Sequence, residues 1–179
     1  MHESSYERMR EFVLKYLNPR KKLKILDVGS YDVGGNYKKL FDNPNWEYYG
    51  GDIASGPNVD TVFKKPYDWG LKPESFDVII SGQCLEHVED TKEWIMQINK
   101  ALKTGGLVCI IAPWIWREHK YPVDCWRILP DGMNFLLKKV CGFKILKIFI
   151  KENDCVGIAK KPHKPIKKIK KIITQIFKK

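Results

Sequence analysis

Asp27 and Asp52 stand at the ends of two short apolar runs, LKILDV and WEYYGGD, with Gly29 at the exit of the first run and Asp52 lying 23 residues beyond that glycine. If both runs are parallel strands, an acid at the tip of the second can accept both hydroxyl hydrogens of a ribose. A glycine at the exit of the first lets backbone approach a ligand with no side chain in the way. Gly34 and Gly35 then precede a helix expected over 35–42, whose N-terminal amides would face the same ligand. The three-glycine fingerprint of dinucleotide sites is absent, because Gly29 is followed by Ser30, Tyr31, Asp32 and Val33 before the next glycine. Asp27 would repel a pyrophosphate but suits the ammonium of an amino acid. The ligand expected from these residue types is S-adenosylmethionine, a nucleoside that carries an amino acid and a sulfonium in place of phosphates.

A second group has the types needed to move protons and hold anions. Glu86 and His87 follow the expected fourth strand, while His119, Asp124 and Arg127 fall in the long segment after the fifth. A histidine is the side chain best poised to take a proton near neutral pH, and His119 is the first choice, with His87 behind it. Asp124 could orient a histidine, and Arg127 could clamp a carboxylate or phosphate by paired hydrogen bonds. Equally, His119 could be an exposed loop residue between Glu118 and Lys120, and Asp124 and Arg127 could pin their own loop as an ion pair.

Such residues need a rigid frame. Strands are expected at about 23–29, 46–52, 59–63, 76–82, 106–112, 144–151 and 154–160, with helices at 4–17, 91–103 and 131–140 besides the one at 35–42. The last two strands are too close for a helical crossover and read as an antiparallel hairpin. The fold expected is α/β, a mostly parallel sheet of seven strands with the last antiparallel and few helices on one face.

The chain resembles the class I S-adenosylmethionine-dependent methyltransferases, in particular the small type 11 group, from about residue 24 to 160. DVGSYDVGGN is similar to their first motif, YYGGDI to their ribose-binding acid, PYDWGLKPESFDVIISGQCLEHVED to the segment that holds adenine and enters the fourth strand, and LKTGGLVCIIAP to the fifth. The block HKYPVDCWRILPDGM resembles a subset associated with cell-surface glycans. The chain lacks the glycine two positions after Gly29 that the commonest first motif carries. The resemblance implies a Rossmann-like sheet in which Asp27 and Gly29 line the methionine end, Asp52 takes the ribose and Ile53 lies under adenine. It further implies that Asp68 accepts from the adenine amino group, that the Trp69 amide donates to a ring nitrogen and that Gln83 sits beside the methionine moiety. Tyr31 is left between two readings, an exposed loop aromatic or a ring packed on the cationic sulfur. Some relatives bind a divalent ion through E-x-x-E-H after the fourth strand. Gln83 replaces the first glutamate here, and adjacent positions on a helix do not share a face, so no metal is expected.

With 179 residues and 44% hydrophobic composition, the chain suits one catalytic domain, set at 1–161. Five cysteines without C-x-x-C spacing suit a reducing cytoplasm, and no apolar run approaches the roughly 18 residues of a membrane span. The last 20 residues hold nine lysines and no acid, so 9 of the net charge of +11 sits there and +2 remains for the rest. Ile166, Ile169, Ile172, Ile173, Ile176 and Phe177 fall in an arc of roughly 140° on a helix, opposite the lysines. A basic amphipathic helix at 164–179 suits an anionic membrane surface, here the inner face. Packing on the domain and a disordered charged tail are the alternatives. Nucleic acid is disfavoured, since neither arginines nor interleaved aromatics accompany those lysines. The expected activity is O-methylation of a sugar or other small polar acceptor. The rivals are a methyltransferase acting on nucleic acid or protein and a cofactor-binding module without turnover.

Overall fold

The computed structural model describes residues 3–163; the amphipathic tail read at 164–179 lies outside the described residues. Four parallel strands form the middle of the sheet. β1 (Leu23–Val28) lies between β2 (Trp46–Asp52) and β4 (Phe76–Gly82), β5 (Leu102–Pro113) follows β4, and β3 (Thr61–Val62) flanks β2 at one edge. At the other edge β7 (Asp154–Lys160) runs antiparallel to β5 and carries β6 (Lys144–Lys151) outside it, giving the order β3-β2-β1-β4-β5-β7-β6. This is the seven-stranded, mostly parallel sheet expected from the sequence.

Because β1, β4 and β5 are apolar at successive positions, both faces of the sheet must be covered. On one face Ile25, Val78, Ile80, Cys109 and Ile111 pack under α1 (Glu3–Tyr16) through Met9, Phe12 and Val13. On the other, Leu26, Val28, Ile79, Val108 and Ile110 meet α2 (Thr91–Ala101) through Trp94, Ile95 and Ile98. That second face is completed by α3 (Pro130–Asn134), which continues as a wider π turn over Phe135–Val140 and contributes Met133 and Leu137.

The helix expected over 35–42 is absent. Asp32 instead accepts the Gly35 amide at 2.6 Å and the Asn36 side-chain amide at 2.7 Å, a local turn that competes with helix formation, and only a 3-10 turn at Lys38–Phe41 remains. No helix N-terminus therefore follows the first glycine loop. The third strand shrinks from the expected 59–63 to Thr61–Val62, and β5 begins four residues early because Leu102 already pairs with Phe76. The start of α2 is fixed by Asp90, whose carboxylate accepts the Lys92 and Glu93 amides at 3.1 and 2.9 Å. Asp90→Ala should therefore cost about 1 kcal/mol and lower Tm by about 2–4 °C in a thermal melt; an unchanged Tm would show that the cap carries no weight.

Candidate functional site

Parallel pairing of Asp27 with Gly50 puts Asp27 and Asp52 on the same face of adjacent strands, with Asp52 two residues nearer the rim. Asp52 is half-buried, and its carboxylate accepts the Tyr31 amide at 3.1 Å and the Ala54 amide at 3.0 Å. One anion thus gathers the loops that leave β1 and β2 and still has acceptor capacity for a diol. Gly29 sits at φ +79°, where side chains are strained, and a Cβ there would run into the Cys84 side chain, so the chain turn and the close approach of the segment after β4 both demand glycine. Gly29 donates to Gly51 O at 2.9 Å, holding the loop against β2.

Asp27 is not at the rim. Only 2% exposed, it accepts the Tyr48 hydroxyl at 2.6 Å. Tyr48 in turn accepts from the Asn58 side chain at 3.1 Å, and that amide also donates to Ser30 O at 3.0 Å. Burial lifts the Asp27 carboxyl to about 7, the Tyr48 bond opposing and the nearby Asp52 charge adding to the rise. A carboxyl raised in the folded state favours folding fully below its unfolded value near 3.9, and that benefit is lost as pH rises through about 7. Asp27→Asn, which can still accept from Tyr48, should therefore stabilise the protein without cofactor at pH 8 by as much as about 4 kcal/mol and have almost no effect at pH 4. Urea unfolding at the two pH values measures this, and equal effects at both would contradict it.

The residues expected around adenine occupy one side of Asp52. Ile53 is 55% exposed, Asp68 is exposed in a tight turn whose backbone bonds to Lys65 in both directions, and Trp69 is buried. The Trp69 ring stacks on Phe63 at 4.6 Å and donates to Pro66 O at 2.9 Å, so its side chain belongs to the core. The Tyr31 ring lies against Gly56, on this same side, and is 40% exposed. On the other side, Gln83 holds φ +56° at the end of β4 and donates to Asp154 at 2.8 Å. Asp154 also accepts from Ser4 at 2.9 Å, tying the start of α1 to the tip of β4. Asp154 opens the second strand of the hairpin; its partners lie some 70 and 150 positions away, and no local pattern reports them.

The strap over 114–129 brings the proton-handling candidates together. His87 and His119 meet edge to face with ring centroids 4.9 Å apart, and Tyr121 leans on both. His87 Nδ1 lies 2.6 Å from Val123 O, and burial pulls its pKa down, which keeps the ring neutral. Arg127 is no acceptor clamp. Its guanidinium grips Asp124 at 2.6 and 2.8 Å and spends its remaining donors on the Trp116, Arg117 and Trp126 carbonyls. Asp124 also accepts the His119 amide at 2.8 Å, and the Arg127 bonds hold its carboxyl well below the usual range. These two residues pin the strap and so present His119. The expectation that Glu86 and His87 point apart also fails, because they sit on a tight 3-10 turn, Leu85–His87, with Glu86 Oε1 3.8 Å from His87 Nε2. Glu86 itself is fully buried.

Residues 1–128, well over half of the chain, match the family described as a methyltransferase domain, and the chain belongs to that family. With the sheet order above, this makes it a class I S-adenosylmethionine-dependent methyltransferase, with that donor as cofactor. Phosphoethanolamine N-methyltransferase 2 of Caenorhabditis elegans is 27% identical over 100 residues, which cover 48% of this chain and 23% of that enzyme; the chain thus spans less than a quarter of that relative. A solved S-adenosylmethionine-dependent methyltransferase of Methanosarcina mazei has a TM-score of 0.66 at 17% identity, covering 86% of this chain and 98% of that one. The Haemonchus contortus phosphoethanolamine N-methyltransferase 2, solved with S-adenosyl-L-methionine, has a TM-score of 0.64 at 17% identity, covering 87% of this chain and 53% of that one.

Proposed function

We propose that the chain moves the methyl group of S-adenosylmethionine onto an oxygen of a small polar acceptor such as a sugar. Asp52 holds the ribose, Gly29 and Asp27 border the methionine end with Gln83, and Ile53, Asp68 and the Trp69 amide enclose adenine. When bound, the cofactor supplies an electrophilic methyl on a good leaving group, so alignment supplies most of the acceleration. The single observation that carries the reading is that the Asp52 anion and the histidine pair both stand at the carboxyl ends of the central strands, where ligands of such sheets bind. The histidine pair then serves the acceptor oxygen, whose proton must leave as the new bond forms.

Transfer to nitrogen is the second reading, favoured by the partial likeness to a phosphoethanolamine N-methyltransferase. An assay with a labelled methyl donor, run on sugar hydroxyl acceptors and on phosphoethanolamine in parallel, separates the two. The proposal predicts label on oxygen, and His87→Ala or His119→Ala should lower kcat about 10²–10⁴-fold with cofactor affinity unchanged. Label on the amine alone, or unaltered kcat in both variants, would reject it.

The lysine-rich tail would hold the enzyme at an anionic leaflet at the inner membrane face, near lipid-linked acceptors. Full-length protein should then sediment with vesicles containing anionic lipid, and protein lacking residues 164–179 should stay in solution. Equal sedimentation of both would remove the tail from the account.

A further inference from the structure

We propose that Glu86, His87 and His119 form a site for one divalent first-row transition metal. One ligand atom from each side chain lies within 4.8 Å of the other two. Glu86 is 0% exposed, yet neither of its carboxylate oxygens has a hydrogen-bond partner. A buried carboxylate in that state is strongly disfavoured unless a cation or a donor meets it.

The two histidines are already oriented for such a cation. The Val123 carbonyl beside His87 Nδ1 can only accept, so Nδ1 carries the hydrogen and Nε2 turns a lone pair toward Glu86, 3.8 Å away. A metal ion placed between the two atoms would be met by a lone pair from each. His119 Nδ1 likewise faces acceptors, Arg117 O at 3.3 Å and Asp124 at 3.5 Å, which leaves its Nε2 as the ligand. Carboxylate and carbonyl partners behind the imidazoles are the arrangement that fixes metal-binding tautomers. Gln83, turned to Asp154, takes no part.

Two imidazoles and one carboxylate suit Zn²⁺, Mn²⁺, Co²⁺ or Ni²⁺ better than Mg²⁺ or Ca²⁺. Bonds of about 2.0–2.2 Å require the donors to draw together by about an ångström. Three protein ligands leave coordination positions open, and a hydroxyl bound there would become more acidic and could release its proton to solvent water, with the imidazoles serving as ligands in place of a base. That last consequence rests on the proposed transfer to oxygen; the metal site does not.

The test is titration of chelator-treated, full-length protein with Co²⁺ alone, without donor or acceptor, followed by visible absorption. One Co²⁺ per chain should bind, Glu86→Gln and His119→Ala should each weaken binding about 10–100-fold, and His163→Ala should leave it unchanged. Glu86→Gln preserves shape, and melting curves confirm that the variants fold. Absence of a Co²⁺ band in the wild type, or a band that persists in the Glu86→Gln/His119→Ala double variant, would overturn the site. S-adenosylhomocysteine titrated into the same samples reads the cofactor pocket separately, so its failure would strike the transfer reading and leave the metal result standing.

Discussion

Two loops that leave neighbouring parallel strands must be brought to one point if a nucleoside is to be held there, and a carboxylate does this. Asp52 accepts one amide from the loop after β1 and one from the loop after β2, so a single charge sets the backbone of both. Register makes it possible, since Gly29 donates to Gly51 just below. Behind this rim Asp27 is packed under Tyr48 and the Asn58 side chain, where its burial raises its pKa and makes the unliganded protein pay for a negative charge at neutral pH. A cationic ligand end nearby would recover that loss. Strain of this kind at a binding site is an ordinary trade of stability for function.

The opposite wall repeats the device with a second anion. Asp124 collects the His119 amide and the Arg127 fork, and Arg127 in turn holds the carbonyls at 116, 117 and 126. The strap is therefore shaped before any acceptor arrives, and His119 is delivered to His87 by backbone bonds as well as by ring contact. Glu86 differs from both other carboxylates. Asp52 and Asp124 accept hydrogen bonds from neighbouring loops, whereas the carboxylate oxygens of buried Glu86 meet no such donor from another residue.

Much of this was legible in the sequence because the central strands are short, apolar on both faces and bounded by glycine, so β1, β2, β4, β6 and β7 fall within a residue or so of their expected limits. The acid at the tip of β2 follows from that frame alone. What could not be read locally is the reach of Asp154 to Ser4 and Gln83, partners far away in the chain. Asp32 closes a local turn where a helix was expected, and of the two readings open for Arg127 the ion pair with Asp124 is the one observed. The pairing of Glu86 with His87 was missed for a geometric reason, since the segment 85–87 is a 3-10 turn that lets neighbouring side chains converge.

The central claim is that Asp52 organises and grips the nucleoside end of the cofactor. Isothermal titration of S-adenosylhomocysteine into wild type and Asp52→Ala tests it most directly. The account predicts at least a tenfold rise in Kd for the variant, corresponding to about 1.4 kcal/mol, in a protein that still melts cooperatively. Equal affinity in the two proteins would contradict it.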